Sequence, residues 1–271
     1  MSKINEFLCL QEKVAIVTGA ATGLGAATAE ILSQAGANVL INHMPGQETI
    51  AQSVAKKCAS NGFCYAADIT QDDECKSMVK AAVDQWGRVD LLINNAGINK
   101  PVDHDDLDGL SAQEFLNIYN VNVVGAYQMI RAVAPTMKAQ KNGVVVNVSS
   151  GSGEYGNGSS VAYSASKGAM NTLTKSLGRA LAPAIRVNAV CPGMVITPLW
   201  DKLQQTEEQR AAWLKAVIAD IPLQTEPTSE IIARSILYLA SDLSAHLTGQ
   251  LITVDGGSSL GLYQPMYKQK K

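Results

Sequence analysis

Short apolar, β-branched runs alternate along the chain with longer segments in which apolar residues recur at helical spacing. Runs such as Val14-Ala15-Ile16-Val17 are continuously apolar, which is typical of strands covered on both faces. The pattern predicts seven strands, over residues 14–18, 38–42, 63–68, 90–94, 144–149, 186–191 and 250–254. Helices are predicted over residues 24–35, 48–60, 71–85, 112–139, 161–182 and 229–240. This alternation indicates βαβ units and therefore an α/β fold, with helices on both faces of a parallel sheet.

One connection is long for such a fold. Residues 197–228 lie between a predicted strand and a predicted helix and carry Trp200 and Trp213. Long ordered insertions are usually lids or binding loops, so we expect a substrate loop here. No linker rich in Ser, Gly or Pro divides the chain. We therefore expect a single domain over residues 1–271, with its core over about 12–260 and a C-terminal tail over 258–271.

Composition narrows the class of protein. Hydrophobic residues make up 46% of the chain and charged residues 17%, which excludes disorder over most of its length. With 22 Lys and Arg against 24 Asp and Glu, the chain has no electrostatic footprint for nucleic acid or an anionic membrane. No segment has the apolar length of a membrane span, and no signal peptide is visible. The five cysteines form no C-x-x-C pair, so we expect a cytoplasmic protein without a zinc site.

A glycine-rich segment, Thr18-Gly19-Ala20-Ala21-Thr22-Gly23-Leu24-Gly25, follows the first predicted strand and continues into a helix. Glycines at such a turn let the backbone approach a pyrophosphate, and the helix N-terminus supplies N–H groups with partial positive charge. The alternative is a merely structural turn, but a strand before and a helix after it favour dinucleotide binding. The expected fold is thus a doubly wound parallel sheet of about seven strands, a Rossmann fold.

Three further motifs accompany the glycine segment, whose spacing is G-x-x-x-G-x-G. Asn94-Asn95-Ala96-Gly97 follows the fourth predicted strand, Tyr163-Ser164-Ala165-Ser166-Lys167 opens a helix, and Pro192-Gly193 follows the sixth strand. With these motifs the sequence resembles the short-chain dehydrogenase/reductase family over about residues 12–260. The resemblance implies an NAD(P)-dependent oxidoreductase of alcohols and carbonyl compounds. It also implies a homotetramer, with Thr253-Val254-Asp255-Gly256-Gly257 near a subunit contact.

Tyr163 and Lys167 are four residues apart, so their side chains share one face of a helix. A lysine ammonium about 4 Å away interacts with a phenolate by roughly 4 kcal/mol at an effective dielectric of about 20, which would bring the phenol's pKa from about 10 to near neutrality. Such a phenol transfers a proton to or from the substrate oxygen. The alternative is an unrelated tyrosine beside a solvated lysine.

The resemblance assigns the remaining catalytic roles. Physics alone does not choose between Ser149 and Ser150, and the family's interval to the tyrosine selects Ser150 as the group that hydrogen-bonds the substrate oxygen. Asn122 would hold the water of a proton relay through Lys167. The alternatives are a strand-end hydroxyl for Ser149 and a backbone-bonded helix residue for Asn122.

The resemblance also implies contacts with the dinucleotide. Lys167 would bind the nicotinamide ribose, Asp68 and Ile69 the adenine, and Thr197 the carboxamide, while Asn94 would line the pocket. Asp68 is alternatively the cap of the helix that begins near Gln71. The full expected set is Gly19, Thr22, Gly23, Leu24, Gly25, Asn42, His43, Asp68, Ile69, Asn94, Ala96, Gly97, Tyr163, Lys167, Pro192, Gly193, Val195 and Thr197.

The end of the second predicted strand bears on the choice of dinucleotide. An NAD enzyme normally places an acid there for the ribose hydroxyls, but this chain has Asn42-His43. Without a carboxylate to repel the 2′-phosphate, and with His43 as a donor, NADP is favoured and NAD stays open. His43 is alternatively an exposed loop residue.

The resemblance implies that the substrate is a small carbonyl compound or alcohol. Leu199 and Trp200 predict an apolar cover, with the tryptophans alternatively in a helix-packing core, and Glu154 and Tyr155 predict a polar side. A sugar, polyol or small carbonyl compound is favoured. A 3-oxoacyl thioester comes next, because the neutral segment 180–184 lacks basic residues for an acidic carrier protein. The other class of function is a catalytically silent dinucleotide-sensing or scaffold protein.

Overall fold

The protein is described by a computed structural model, which covers residues 7–58, 62–196 and 206–261. Its centre is a parallel sheet of seven strands in the order β3-β2-β1-β4-β5-β6-β7. The strands are β1 (Val14–Val17), β2 (Asn38–His43), β3 (Gly62–Ala66), β4 (Leu91–Asn94), β5 (Gly143–Val148), β6 (Ile185–Pro192) and β7 (Leu251–Val254). The strand order reverses between β1 and β4, so the predicted doubly wound Rossmann sheet is confirmed.

Helices cover both faces of this sheet. Those within the described residues are α1 (Gly23–Gln34), α2 (Glu48–Lys57), α3 (Asp72–Trp86), α4 (Ala112–Tyr119), α5 (Ala126–Gln140), α6 (Ser152–Tyr155), α7 (Val161–Ala180), α8 (Glu207–Ala219) and α9 (Ser229–Ala240). One apolar layer packs α1 and α9 on the sheet, and the other packs α3 and α5 on its opposite face. No helix in the described ranges combines the length and the apolar character needed to cross a membrane.

The predicted continuous helix over residues 112–139 is wrong in its middle. A π-helical turn, Asn120–Gly125, separates α4 from α5. The Asn122 side chain is drawn inwards, where its amide bonds to both backbone groups of Ile98. On the same turn, a Cβ at Gly125 would lie 2.7 Å from Ile69 Cδ1. These tertiary contacts widen the helix locally, as is common at functional sites.

The long connection before α9 is also more regular than predicted. Residues 197–205 lie outside the described residues, but residues 207–219 form α8 rather than a loop. Thr206 and Gln209 make a capping box at its start, because each side chain bonds to the backbone N–H of the other residue. The short helix α6 was not predicted either.

Candidate active site

The glycine segment forms the turn between β1 and α1. Gly19 and Gly23 have φ angles of +61° and +56°, which side-chain-bearing residues rarely adopt. A Cβ on Gly25 would lie 2.3 Å from the carbonyl oxygen of Gly19. Thr22 begins α1 without a side-chain cap, so the side chain leaves the N–H groups of the first turn available to an anion. Leu24 packs partly against the core beneath.

Gly25→Ala is expected to damage this turn. The added methyl group has no space beside the Gly19 carbonyl, so we expect a loss of about 2 kcal/mol in the free energy of unfolding. Dinucleotide affinity should fall at least about tenfold, since the turn must shift. Urea unfolding and titration of reduced nicotinamide fluorescence measure the two effects. An unchanged unfolding midpoint with unchanged affinity would contradict the close approach seen here.

The motif after β4 separates into structural and site residues. The Asn94 side chain is buried and donates to Asn147 Oδ1 at 2.9 Å, so it ties β4 to β5 beneath the edge of the sheet. Its Oδ1 has no hydrogen-bond partner within the described residues. Asn95, which sequence analysis did not select, donates to the carbonyl oxygens of Thr18 and Gly19 at 2.9 and 3.1 Å. Asn95 therefore holds the glycine turn, and the signal for it lay in the same motif.

Ala96 and Gly97 complete the contact between the β4 motif and the site. Ala96 N–H donates to Thr18 Oγ1 at 3.0 Å, and a Cβ on Gly19 would lie 2.9 Å from Ala96 Cα. A Cβ on Gly97 would lie 3.2 Å from Asn122 Oδ1 and 3.8 Å from Lys167 Nζ. The backbone at Gly97 thus lies directly against two of the expected catalytic residues.

At the end of β2, the Asn42 amide is engaged by the protein itself. Its Oδ1 accepts from Gly19 N–H at 3.1 Å, and its Nδ2 donates to Ala67 O at 2.9 Å. His43 is buried with Nδ1 2.9 Å from Met44 O, so the alternative of an exposed loop residue is wrong. Five residues further, backbone N–H groups of Gly46 and Glu48 lower the pKa of the Glu48 carboxyl. An acidic group is therefore present near this corner, although none lies at the strand end.

Asp68 and Ile69 follow β3, which ends at Ala66 rather than at Asp68. Asp68 Oδ1 accepts from both the N–H and the hydroxyl of Thr70 at 2.9 Å. The residue before α3 is Gln71, and it has no side-chain cap, so the alternative that Asp68 caps this helix is wrong. The Asp68 turn ends the strand early. Ile69 is buried against Gly125.

Ser150, Tyr163 and Lys167 meet beyond the end of β5. Ser160 caps α7 by accepting from Tyr163 N–H at 3.3 Å, which places Tyr163 in the first turn. The Ser150 side chain lies near enough to the Tyr163 hydroxyl to lower its pKa. Lys167 Nζ lies 5.5 Å from the centre of the Tyr163 ring and donates to Val148 O at 2.8 Å. Two hydroxyls and one ammonium therefore share one small region at the carboxyl edge of the sheet.

The two neighbouring serines point in different directions. Ser149 Oγ lies 2.5 Å from Asn171 Oδ1 and 3.2 Å from Lys167 O, so this hydroxyl is engaged with α7. Ser150 Oγ lies 2.9 Å from Ser152 Oγ and accepts from Ser152 N–H at 3.2 Å. The structure therefore gives the contact with Tyr163 to Ser150 and a structural contact to Ser149.

Asn122 is buried at the π-helical turn. Its Oδ1 accepts from Ile98 N–H at 2.8 Å, and its Nδ2 donates to Ile98 O and to Ser166 Oγ at 3.0 Å each. The alternative of backbone bonding is thus what the amide shows, and the relay role stays a prediction for a side chain whose Oδ1 lies, like Lys167 Nζ, beside Gly97. The wide turn is what brings this side chain to the site.

The segment after β6 closes another side of the site. Pro192 O accepts from Gly151 N–H at 2.9 Å, and Gly193 N–H donates to Val254 O at 3.2 Å. A Cβ on Gly193 would lie 2.7 Å from Asp255 Cβ. Val195 packs partly against the core on the α1 face. The expected contacts Thr197, Leu199 and Trp200 lie outside the described residues.

Comparison with known proteins agrees with this geometry. The family model described as enoyl-(acyl carrier protein) reductase matches residues 19–259. The chain belongs to the short-chain dehydrogenase/reductase family. A 3-oxoacyl-[acyl-carrier-protein] reductase of Thermotoga maritima is 37% identical over 92% of this chain and 98% of the relative. A protein of the same name from Staphylococcus aureus is 34% identical over 90% of this chain and 97% of its own length.

A solved structure gives the same assignment. It is described as a short-chain dehydrogenase/reductase of Burkholderia xenovorans and superposes with a TM-score of 0.83 at 37% identity. The alignment covers 92% of this chain and 98% of that one. The protein is therefore an oxidoreductase of the short-chain dehydrogenase/reductase family, and its site can be considered in those terms.

The expected acidic phenol is not what this short-chain dehydrogenase/reductase shows. Burial raises the pKa of Tyr163 above its ordinary value of 10.0, although the hydrogen bond with Ser150 opposes the rise. Burial also lowers the pKa of Lys167 to about 8, partly offset by Cys191. The expectation neglected that a buried phenolate and a buried ammonium both lose hydration. At neutral pH the phenol keeps its proton, which is the form that a general acid needs.

Glu154 and Tyr155, which are expected to form the polar side of the site, are exposed to solvent. Glu154 Oε2 accepts from Thr253 Oγ1 at 3.2 Å, and Tyr155 is half exposed. A cavity of about 550 Å³ includes Asp103, His104, Asp106, Gly158 and Ser159 in its walls, and a Cβ on Gly158 would lie 2.9 Å from Ser152 Oγ on α6. His104 Nε2 is 2.9 Å from Gly158 O. Sequence analysis selected none of these residues as part of the site.

Proposed function

We propose that this oxidoreductase interconverts a ketone or aldehyde and an alcohol by hydride transfer with a nicotinamide dinucleotide. The observation that carries the proposal is the grouping of Ser150 and Tyr163 with the buried Lys167, whose Nζ lies 5.5 Å from the centre of the Tyr163 ring. This group stands at the carboxyl edge of the sheet, where open α/β sheets bind their ligands. The glycine turn lies at the same edge, so the candidate dinucleotide site and the proton donor Tyr163 are on one side of the sheet.

The residues present fit a dinucleotide. The first turn of α1 has N–H groups without a side-chain cap, and they would hold the pyrophosphate. Asp68 and Ile69 would meet the adenine, Thr197 the carboxamide, and Lys167 the nicotinamide ribose. Within the described residues the Lys167 ammonium donates to a single acceptor, Val148 O, so it has protons available for such hydroxyls. When bound, the dinucleotide supplies or accepts the hydride.

Side chains of the protein carry out the proton transfer. In the direction of reduction, the hydroxyls of Ser150 and Tyr163 donate to the carbonyl oxygen and polarise it. Tyr163 then gives up its proton to that oxygen, and the Lys167 ammonium stabilises the phenolate that forms. The Lys167 ammonium next returns a proton to the phenolate, and a water held by Asn122 passes a solvent proton to the Lys167 amine. Reversal of these steps oxidises an alcohol.

We infer NADP as the preferred dinucleotide. Asn42 at the end of β2 is neutral, and the His43 ring lies beside it. Because neither residue carries a carboxylate, a 2′-phosphate is not repelled there. NADPH should therefore bind about tenfold more tightly than NADH. Fluorescence titration with both dinucleotides measures the ratio. A higher affinity for NADH would overturn the inference.

The substrate class that the relatives suggest is a 3-oxoacyl thioester. Lys175 and Arg179 on α7 are exposed and support docking of an acidic carrier, although residues 180–184 are uncharged. A sugar or polyol is the second candidate, because the neighbouring cavity is lined by Asp103, His104 and Asp106, which can accept hydrogen bonds from hydroxyl groups. Oxidation of NADPH with acetoacetyl thioesters, ketoses and simple ketones separates the two. A protein that binds dinucleotide but reacts with none would instead be a silent sensor or scaffold.

We also propose that the protein is a homotetramer. Large apolar side chains are exposed on α4 and α5, among them Phe115, Leu116, Tyr119 and Tyr127, and such patches on soluble proteins mark association surfaces. Light scattering after gel filtration should give about four times the chain mass of 28.7 kDa. Phe115→Glu should lower that mass, because a carboxylate would be buried between subunits. A monomeric wild-type protein would contradict the proposal.

A further inference from the structure

Three buried polar side chains lie behind the active site without a part in the chemistry described above. Ser149 follows β5, Asn171 is on α7, and Cys191 is in β6; their exposed fractions are 3%, 5% and 0%. Buried polar groups are retained in folded proteins when they are hydrogen-bonded. The group is linked to the backbone of Lys167 through the Ser149 hydroxyl.

Asn171 is the centre of the group. Its Oδ1 lies 2.5 Å from Ser149 Oγ and 3.9 Å from Cys191 Sγ. Asn171 follows Lys167 by four residues, so the two side chains lie on the same face of α7. One amide oxygen therefore joins the catalytic helix to the ends of two neighbouring strands.

Consecutive residues of the β5 segment hold both ends of Lys167. Val148 O accepts from the Lys167 ammonium at 2.8 Å, and Ser149 Oγ lies 3.2 Å from the Lys167 carbonyl oxygen. On the other side, a Cβ at Gly153 would lie 2.6 Å from the Lys167 carbonyl carbon. The distance between α7 and β5 at this level therefore sets how deeply the ammonium is buried.

We propose that Asn171, acting through Ser149, is a positioning residue for Lys167. The inference rests on the proposed function, in which Lys167 binds the nicotinamide ribose and serves the phenol. Without the amide oxygen, the Ser149 hydroxyl loses its nearest acceptor and α7 is less firmly held to β5. Water then reaches the amino group of Lys167. The amine becomes easier to protonate, and it is less well placed for the ribose.

The surroundings of Lys167 make its protonation sensitive to this position. Within the part of the chain that the structure describes, the ionisable groups that face it are the Tyr163 phenol on its own helix and the Cys191 thiol on β6. Its polar neighbours from the other elements are neutral: Val148 O and Ser149 after β5, and Asn122 on the π-helical turn. Burial is therefore the main influence on the proton affinity of Lys167, and Asn171 controls how deeply the Lys167 ammonium is buried.

Asn171→Leu and Ser149→Ala test the proposal, with NADPH binding as the readout because it needs no turnover. Wild-type affinity is expected to fall as pH rises through about 8. In Asn171→Leu that fall should move upward by about one pH unit, and Kd at pH 7 should rise about fivefold. Ser149→Ala should give the same directions, and if Asn171→Leu does not fold, Ser149→Ala decides.

Thr174→Val is the matched control. It also removes a buried hydrogen bond between α7 and β5, from Asn147 Nδ2 to Thr174 Oγ1, but away from Lys167. It should lower Tm to a similar degree while leaving Kd and its pH midpoint unchanged. If both test variants behave like Thr174→Val, the role of Asn171 is structural and the proposal is overturned. A wild-type protein that binds NADPH but reduces no carbonyl compound would overturn the proposed function instead, and the binding test would still decide on Asn171.

Discussion

Tyr163→Phe is expected to lower kcat by about a thousandfold while the protein stays folded and binds dinucleotide with nearly unchanged affinity. The substitution removes the hydroxyl that lies near Ser150 and keeps the ring that packs near Lys167. Since burial raises the pKa of this phenol, the phenol carries its proton throughout the neutral range. We expect no water to replace the missing hydroxyl as proton donor in the variant.

The assay for Tyr163→Phe is single-turnover oxidation of NADPH by the best carbonyl substrate found for the wild-type protein. Tyr238→Phe, in which a partly exposed tyrosine on α9 loses its hydroxyl, should retain full activity. Circular dichroism and fluorescence titration show whether folding and binding persist. Turnover within tenfold of wild type in a folded Tyr163→Phe protein would remove Tyr163 from the mechanism. Ser150→Ala should have a smaller effect, because Tyr163 still donates to the substrate oxygen.

The sheet could be predicted from sequence because its strands are buried on both faces. Continuous apolar runs such as those of β1 and β5 distinguish such strands from amphipathic helices by length and by their β-branched residues. The end of β3 was predicted too late because Asp68 turns the chain through its contact with Thr70. That preference of aspartate for its own backbone is local, so it was available in the sequence and was missed.

Other differences depend on contacts that a linear pattern does not contain. The π-helical turn exists because Asn122 bonds to Ile98, 24 residues away, and residues 112–139 keep helical periodicity across it. In contrast, the box Thr206-Glu207-Glu208-Gln209 is a local start signal that predicts α8. The motifs lie at strand ends that a parallel sheet brings together, so the sequence could place them at one edge of the sheet. They did not show that burial would raise the pKa of the Tyr163 phenol.

Lys167→Met is expected to make the protein more stable at pH 7 while abolishing activity. The lysine pKa falls from 10.5 to about 8 on burial, so in the folded state the charged form is disfavoured by about 3 kcal/mol. Methionine has a similar length and no charge. After allowance for the lost hydrogen bond to Val148 O, we expect a gain of about 2 kcal/mol in the free energy of unfolding.

The pH dependence of that gain identifies its cause. Below pH 8 the wild-type amine is protonated in both states, so the wild-type protein bears the whole desolvation cost. Between pH 8 and 10.5 the unfolded state binds the proton and the folded state does not, so wild-type stability rises with pH relative to the variant. The advantage of Lys167→Met should therefore shrink across this window. Urea unfolding at pH 7 and pH 10, at one protein concentration, measures it.

Lys175→Met provides the comparison for this experiment, because Lys175 is exposed on the same helix and its loss should change stability by less than about 0.5 kcal/mol at either pH. A Lys167→Met protein less stable than wild type at pH 7, or a gain equal at both pH values, would show that the ammonium is well solvated or paired. The expected outcome means instead that burying the Lys167 ammonium, which the proposed chemistry requires, lowers the free energy of unfolding. A stability cost of this kind is common at active sites, where a buried charge is retained for function.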